Sequence, residues 1–249
     1  MGVGVSTICS IVVLLFGRGN VDLVGWRGGG HWGVRFADRT AAGQRLALEL
    51  ARFGPVDPVV VGLPRGGVPV AAEVAVALGA DLDVVLVRKI GAPDRPELAV
   101  GAIGEEGVVV HNAALLLDLG LTWDDLAATV SHERAEIAQR AAMLRPGRPR
   151  VNLCDRTVLI VDDGIATGAT MLAAVRVVRG LGAATVVLAV PVAPADALPR
   201  LAEIADEVVC PVTPRRFQSV GQWYVDFRQV SDARVRELLA ANARLAGRE

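Results

Sequence analysis

Residues 158–170 have the sequence Val-Leu-Ile-Val-Asp-Asp-Gly-Ile-Ala-Thr-Gly-Ala-Thr, and this stretch decides the fold. Its first four residues are apolar and mostly β-branched, which is typical of a parallel strand covered by helices on both faces. Two adjacent carboxylates, Asp162 and Asp163, follow at the carboxyl end of that strand, where open α/β sheets place their ligands. The stretch therefore predicts a ligand site at the edge of a parallel sheet.

The two carboxylates indicate what kind of ligand would bind. Carboxylates only accept hydrogen bonds, and the vicinal diol of a ribose offers two hydroxyl donors. Negative charge beneath the sugar would also stabilise the cationic state that forms as a group leaves C1. Asp162 and Asp163 are therefore candidates both for ribose binding and for catalysis.

A loop of mostly small residues follows the acidic pair and leads into a helix. Such a loop can direct backbone N–H groups and two threonine hydroxyls at a phosphate. No lysine follows the second glycine, so the loop is not a Walker motif for nucleoside triphosphates. A turn of this composition is often only a turn, but its place after a buried strand and two carboxylates favours phosphate binding. The candidate residues are Gly164, Ile165, Ala166, Thr167, Gly168, Ala169 and Thr170.

Apolar β-branched runs and helical patterns alternate through the rest of the chain from residue 57 onward. This order predicts a doubly wound α/β fold with a mostly parallel sheet. The predicted strands are 59–62, 84–87, 158–161, 186–190 and 208–210. The predicted helices are 68–78, 122–144, 168–180, 195–204 and 232–245, together with an earlier one capped by Asp38 and ending near residue 52.

The strand, the acidic pair and the Thr-Gly-x-Thr loop together resemble the signature of type I phosphoribosyltransferases that binds 5-phosphoribosyl 1-pyrophosphate (PRPP). The resemblance extends over about residues 36–240. It implies that Asp162 and Asp163 hold the ribose hydroxyls and that residues 166–170 hold the 5-phosphate. It also implies the family's Rossmann-like fold with a small hood and a flexible loop.

A second segment, Leu63-Pro64-Arg65-Gly66-Gly67, resembles the pyrophosphate loop of the same family. Glycines permit close approach of the backbone and unusual dihedral angles, and Arg65 adds a fork-shaped contact to an anion. A segment of this kind between a strand and a helix is by itself more often a simple turn. The resemblance assigns Arg65, Gly66 and Gly67 to pyrophosphate binding.

Residues 88–97 form a polar segment with glycine and proline that is similar to the family's mobile catalytic loop, which closes over PRPP and excludes water. Lys89 is the only lysine among 26 Lys and Arg residues, and a compact, mobile ammonium is not interchangeable with a guanidinium. The resemblance implies that Arg88 and Lys89 neutralise the charge on departing pyrophosphate. Weaker candidates for moving a proton on the nucleophile are Glu97, Glu105 and Glu106. Solvated surface carboxylates are the more common role for such residues.

Residues 211–230 are the candidate hood, which in the family is a variable segment that stacks on the nucleobase. Aromatic side chains suit that task, and the hood candidates are Phe217, Trp223, Tyr224 and Asp226. An equally good interpretation places the aromatic rings in a core cluster at the sheet edge. Ala166 stands where family members that act on 6-oxopurines carry an acidic residue. The acceptor is therefore predicted to be a nitrogenous base other than a 6-oxopurine.

Charge and composition limit the classes of binding partner that are expected for this chain. The formal net charge of −1 gives no global attraction to nucleic acid, so neither nucleic acid nor a membrane is an expected partner. Cys9, Cys154 and Cys210 show no CxxC spacing, which indicates reduced thiols in a cytoplasmic protein. The three histidines show no metal-binding spacing.

Residues 1–33 differ from the rest of the chain. They contain a short apolar run, 11–16, which is too short to span a bilayer, and then a glycine-rich stretch. We interpret them as a leader that is disordered or precedes the native start. The phosphoribosyltransferase domain is then predicted at residues 34–249.

These assignments imply a magnesium-assisted displacement in which C1 becomes cationic and a nitrogen nucleophile adds with inversion. By the family resemblance, Mg²⁺ bridges pyrophosphate and the ribose hydroxyls with help from Asp162 and Asp163, without a dedicated protein cage. The alternative is a regulator of the same fold that binds PRPP or a nucleotide without turnover. A structural domain with a vestigial site is a third possibility, and homodimers are common in the family.

The lone lysine yields a first prediction. If Lys89 stabilises the charge that develops on pyrophosphate, Lys89→Ala should lower kcat much more than the affinity for PRPP. Steady-state kinetics together with direct PRPP binding would measure both quantities. Equal losses in the two would contradict a role in the transition state.

Overall fold

The computed structural model describes residues 35–245 and residue 247, so the leader predicted at 1–33 and the domain start at residue 34 lie outside the described residues. A parallel sheet of five strands forms the centre. Its strands are β1 (Val59–Gly62), β2 (Asp81–Val84), β6 (Thr157–Val161), β7 (Thr185–Ala189) and β8 (Glu207–Val209). They lie side by side in the order β2-β1-β6-β7-β8.

Helices cover both faces of this sheet, because successive residues of each strand point to opposite sides. In β6, Leu159 packs into a core with one set of helices, whereas Ile160 packs into a second core with another set. The first set is α1 (Arg39–Leu50), α2 (Gly67–Leu78), α4 (Ala127–Leu144) and α7 (Asp232–Leu245), and the second is α5 (Ala169–Gly180) and α6 (Leu198–Ala202). The doubly wound α/β fold predicted from the sequence is confirmed.

A second, antiparallel sheet of three strands lies between β2 and β6 in the chain. It consists of β3 (Val87–Ala92), β4 (Arg95–Gly104) and β5 (Val109–His111), and α3 (Ala113–Asp118) follows it. The sequence analysis missed β4, β5 and α3. It also predicted one strand at 84–87, where the structure has the end of β2 and the start of β3 in different sheets.

The segment at 88–97 is a β-hairpin instead of an irregular loop. Ala92 pairs with Arg95 across a two-residue turn, and the flanking residues pair along both strands. The glycines and prolines that indicated a loop have other roles here. Gly91 lies so close to the backbone of Pro96 that no side chain would fit between them.

The predicted helix at 122–144 also starts later than expected. Thr122 and Asp125 bond each other reciprocally, as in a capping box, and a short 3-10 turn at 124–126 then precedes α4. Asp38 caps α1 as predicted, because its Oδ1 accepts a hydrogen bond from the Ala41 N–H at 2.8 Å. None of the described helices is both long and apolar enough to cross a membrane.

A buried ion cluster joins the end of α4 to both sheets. The Arg145 guanidinium donates to Asp83 at 2.6 Å and to Glu105 at 2.6 and 2.9 Å, and to the Val84 carbonyl at 2.9 Å. Burial alone would lower the pKa of Arg145, but the two carboxylates raise it, so the arginine stays charged. Every charge in the cluster has a partner of opposite sign.

Removing one member of this cluster should be costly. Arg145→Met would leave two buried carboxylates without their counter-ion, and we expect a loss of about 3–5 kcal/mol in the free energy of unfolding. Urea denaturation would measure it. Arg234→Met, which removes only an exposed pair with Glu237 on α7, should cost under about 1 kcal/mol. Similar losses for the two variants would contradict a structural role for the cluster.

Candidate functional site

The acidic pair lies at the carboxyl end of β6, as the sequence predicted. Both carboxylates are partly buried, and Asp162 Oδ1 accepts the backbone N–H of Asp163 at 2.8 Å. Burial and the adjacent charge of Asp163 raise the pKa of Asp162 above its ordinary value. Burial also raises the pKa of Asp163, against the opposing effect of Arg39. Raised carboxylate pKa values of this kind are common at functional sites.

Arg39 is the residue that holds Asp163 in place. As the first residue of α1, it donates from Nε to Asp163 Oδ2 at 2.8 Å and from Nη1 to the Arg228 carbonyl at 2.9 Å. Its guanidinium carbon also lies 4.0 Å from the centre of the Phe227 ring. Sequence analysis missed Arg39, because no local pattern distinguishes it from the many other arginines of the chain.

The pyrophosphate-loop candidate lies directly against the acidic pair. A cis peptide joins Pro64 to Arg65, and α2 begins at Gly67 without a side-chain cap. A Cβ on Gly66 would overlap Asp163 Oδ2 and lie 2.8 Å from Asp163 Cγ, while one on Gly67 would lie 2.6 Å from the Val161 carbonyl oxygen. The two segments therefore fit together only because Gly66 and Gly67 have no side chains.

A cavity of about 390 Å³ is lined by Leu63, Pro64 and Arg65, the residues that come just before Gly66. It brings together Arg65 of the pyrophosphate-loop candidate, Arg88 of β3 and Thr170 of the phosphate-loop candidate, as the sequence analysis proposed for one site. Lys89 is exposed and does not line this cavity, since neighbouring side chains of a strand point to opposite faces. Arg140 of α4 lines the cavity and was not predicted.

The phosphate-loop candidate divides into an anchored half and an exposed half. Gly164 packs against Val192 and Val220, and the buried Ile165 donates its backbone N–H to the Val192 carbonyl at 3.0 Å. These two residues fix the loop to the core. Residues 166–170 are the part that faces outward, and α5 starts after Gly168 with no side-chain cap on its first N–H groups. Such a helix start suits an anion.

This outward half borders two cavities. Thr170 lines the arginine-rich cavity described above, whereas Ala166 and Thr167 line a smaller one of about 220 Å³ together with Arg200 of α6. Ala169 is the first residue of α5 and lines neither of them. The loop thus separates the arginine-rich cavity from the smaller cavity lined by Arg200.

The structure divides the hood candidates into two groups. Tyr224 is 1% exposed, its ring contacts Phe36 and Phe227, and its hydroxyl donates to the Asp163 carbonyl. No free face remains on Tyr224 for a nucleobase, so its placement corrects that expectation and agrees with the alternative of a core cluster. Phe217 and Trp223 stack on each other with ring centres 6.5 Å apart.

The acidic candidates outside the main motif are held by arginines or lie in solvent. Asp226 pairs with Arg228, which lowers the pKa of Asp226 to about 2. Glu105 is committed to the buried cluster with Arg145, so the structure removes it as a proton-transfer candidate. Glu106 pairs with Arg150, and Glu97 is exposed on β4. Within the described residues, no hydrogen bond joins any of these carboxylates to Asp162 or Asp163, although Arg39, which binds Asp163, also contributes to the lowered pKa of Asp226.

Comparison with known proteins is consistent with this geometry. Residues 38–226 match a family model described as the phosphoribosyl transferase domain. A protein named as a phosphoribosyl transferase in two strains of Mycobacterium tuberculosis is 52% identical to the chain over 200 residues, which is 80% of the chain and 45% of the relative. The chain thus spans about half the length of the curated relatives it matches. The crystal structure of TT1426 from Thermus thermophilus is 47% identical with a TM-score of 0.78, and the match covers 84% of this chain and 99% of that one.

The raised pKa of Asp162 predicts that the charge of this carboxylate destabilises the folded protein at high pH. A carboxyl group whose pKa is raised by folding costs no stability below its unfolded pKa, near 4, and costs most once pH exceeds its folded pKa. Asp162→Asn keeps the acceptor for the Asp163 N–H but removes the charge. We therefore expect a higher melting temperature at pH 8, by roughly 2–4 °C for each 1 kcal/mol gained.

The gain should shrink as pH falls toward about 4 and disappear below that pH, where the wild-type carboxyl is protonated in both the folded and the unfolded state. Differential scanning calorimetry across this range would measure it, with the exposed Asp196→Asn as a matched control. A gain that is the same at every pH would rule out charge burial as its cause.

Proposed function

Because this chain belongs to the phosphoribosyltransferase family, we propose that it is a glycosyltransferase that moves the 5-phosphoribosyl group of PRPP to a nitrogen acceptor and releases pyrophosphate. The observation that carries the proposal is the direct contact between Gly66-Gly67 and Asp162-Asp163. In PRPP the ribose lies on one side of the C1–O bond and the diphosphate on the other. An acidic pair that binds the ribose diol and a loop that binds the diphosphate can therefore hold both sides of this bond when they contact each other.

The acidic pair performs the first task in this proposal. Asp162 and Asp163 accept the two ribose hydroxyls and place negative charge below the ring, where C1 becomes cationic as the bond to pyrophosphate breaks. Arg39 orients Asp163 and helps to keep it ionised. Tyr224 fixes the backbone of the same residue from the buried side.

The arginine-rich cavity performs the second task. Arg65 and Arg88 neutralise the charge that accumulates on departing pyrophosphate. Residues 166–170 hold the 5-phosphate at the start of α5. Lys89 would reach pyrophosphate only if the β3–β4 hairpin closes further over the bound substrate, so the turnover loss expected for Lys89→Ala also tests that closure.

The residues present fit Mg²⁺ as the family resemblance implies it. Within residues 35–245, no group of three or more metal-binding side chains converges, and Mg²⁺ is usually bound by one or two carboxylates together with substrate phosphates. Asp162 and Asp163 would hold it with the oxygens of PRPP. When bound, it would neutralise diphosphate charge.

The acceptor is proposed to be a nucleobase other than a 6-oxopurine, on the basis of Ala166. A small apolar side chain there offers no carboxylate to a ring N–H. Ala166 is exposed in the loop and itself brings no carboxylate to the smaller cavity, which it lines together with Asp196 and Arg200. Hypoxanthine and guanine should therefore be poorer acceptors than adenine or a pyrimidine.

Release of pyrophosphate on mixing the protein with PRPP, Mg²⁺ and a panel of bases would test the proposal. Wild type should release it with at least one base. Gly66→Ala should lower kcat/KM for PRPP by at least about tenfold, because the added methyl displaces the Asp163 carboxylate from its position.

Gly54→Ala is the matched control, since a Cβ there would meet only Leu78 at 4.0 Å. Saturable PRPP binding without pyrophosphate release for any base would refute turnover and favour a regulator of the same fold. Failure to bind PRPP at all would refute both.

A further inference from the structure

Two of the arginines that line the arginine-rich cavity share an ion-pair partner that no motif of the sequence indicates. The Asp232 carboxylate lies between two guanidinium groups, 3.0 Å from Arg140 Nη2 and 3.8 Å from Arg65 Nη1. The three side chains are each about one-third exposed, at 34% for Arg65 and 29% for Arg140 and Asp232. A single carboxylate therefore holds two arginines that line the proposed diphosphate site.

Asp232 is not needed to cap its helix. It is the first residue of α7, and the cap is supplied by Ser231, whose Oγ accepts the backbone N–H of Arg234 at 3.1 Å. A negative charge in the first turn gains only a modest benefit from the helix dipole. The contact with Arg140 and Arg65 is thus the distinctive role of this carboxylate.

Arg140 reaches the cavity from a well-defined face of α4. Glu133, Ile137 and Arg140 are spaced by four and three residues, so they lie on one face of the helix. Ile137 and Arg140 line the cavity, and Glu133 Oε2 lies 3.4 Å from Arg88 Nε. Each of the three arginines of the cavity therefore has an acidic partner supplied by α4 or α7.

We propose that Arg140 is a diphosphate-binding residue and that Asp232 is an internal competitor for the same guanidinium groups, an inference that rests on the proposed function. With no diphosphate bound, Asp232 offsets the repulsion between Arg140 and Arg65. A diphosphate carries more negative charge and more acceptor oxygens than one carboxylate, so it displaces Asp232 from both arginines. When pyrophosphate leaves, Asp232 recovers them and thereby favours release of the product.

Pyrophosphate binding tests both the ligand role of Arg140 and the competitor role of Asp232. The quantity to measure is the dissociation constant of inorganic pyrophosphate, by isothermal titration calorimetry at fixed Mg²⁺ and salt. Arg140→Gln should weaken binding by at least about tenfold, since it removes a charged donor. Asp232→Asn should tighten binding several-fold, because the competitor loses its charge. Arg134→Gln and Glu237→Gln, exposed changes of the same charge on α4 and α7, should leave binding within about twofold.

The double variant separates competition from a general charge effect. If Asp232 acts by occupying Arg140, the tightening caused by Asp232→Asn should shrink markedly in the Arg140→Gln background. Equal tightening in both backgrounds would overturn the competitor role. Arg140→Gln binding pyrophosphate as well as Arg134→Gln would overturn the ligand role.

A separate titration with PRPP distinguishes this inference from the proposed function. If wild type binds PRPP, and the Arg140 and Arg134 variants bind pyrophosphate equally well, only the role of Arg140 is refuted. Wild type that binds neither PRPP nor pyrophosphate refutes the proposed function and this inference together. Melting temperatures of the variants close to that of wild type would show that the differences in affinity do not reflect unfolding.

Discussion

The parallel pairing of β1 with β6 sets the two central loops of the site side by side, and the rest of the site is built around them. Gly62 pairs with Val161 at the end of these strands, and the Leu63 N–H continues the ladder by donating to the Val161 carbonyl at 2.9 Å. The two chains then diverge into loops that start side by side. Because one loop begins with two carboxylates and the other contains two glycines, the carboxylates fill the space that side chains would otherwise take. A shift of this register by one residue would separate the groups and turn their side chains to opposite faces.

This arrangement places two like charges together at the end of a covered strand, which opposes folding. Three contacts reduce this cost. Arg39 supplies an opposite charge, the Asp163 N–H donates to Asp162, and Tyr224 fixes the Asp163 carbonyl. These contacts reduce the cost without removing it, because burial still raises the pKa of both acids and the charge of Asp163 raises the pKa of Asp162 further. Functional sites commonly retain such unfavourable interactions because the chemistry needs them.

The sequence was most informative where a local pattern and the tertiary role coincide. The strand at 158–161 and the acidic pair could be predicted because an apolar β-branched run and adjacent carboxylates have few other uses. The hairpin at 87–104 could not, since its glycines and prolines resemble loop signals. Gly104 is small because it packs against Val177 of α5, which is a tertiary reason. Arg39 and Arg140 were missed for a related reason, because only the packing of α1 and α4 brings them to the site.

The buried anchor at the end of α4 has a consequence for Arg140. Arg145 is tied to Asp83 and Glu105 only five residues further along, so the last turns of the helix are attached to both sheets. Five residues of helix span roughly 7.5 Å, which leaves little freedom for the backbone that carries Arg140. Less backbone entropy is therefore lost when an anion immobilises the Arg140 side chain. The buried ion cluster therefore helps to pre-organise the anion contact of Arg140, five residues earlier in the chain.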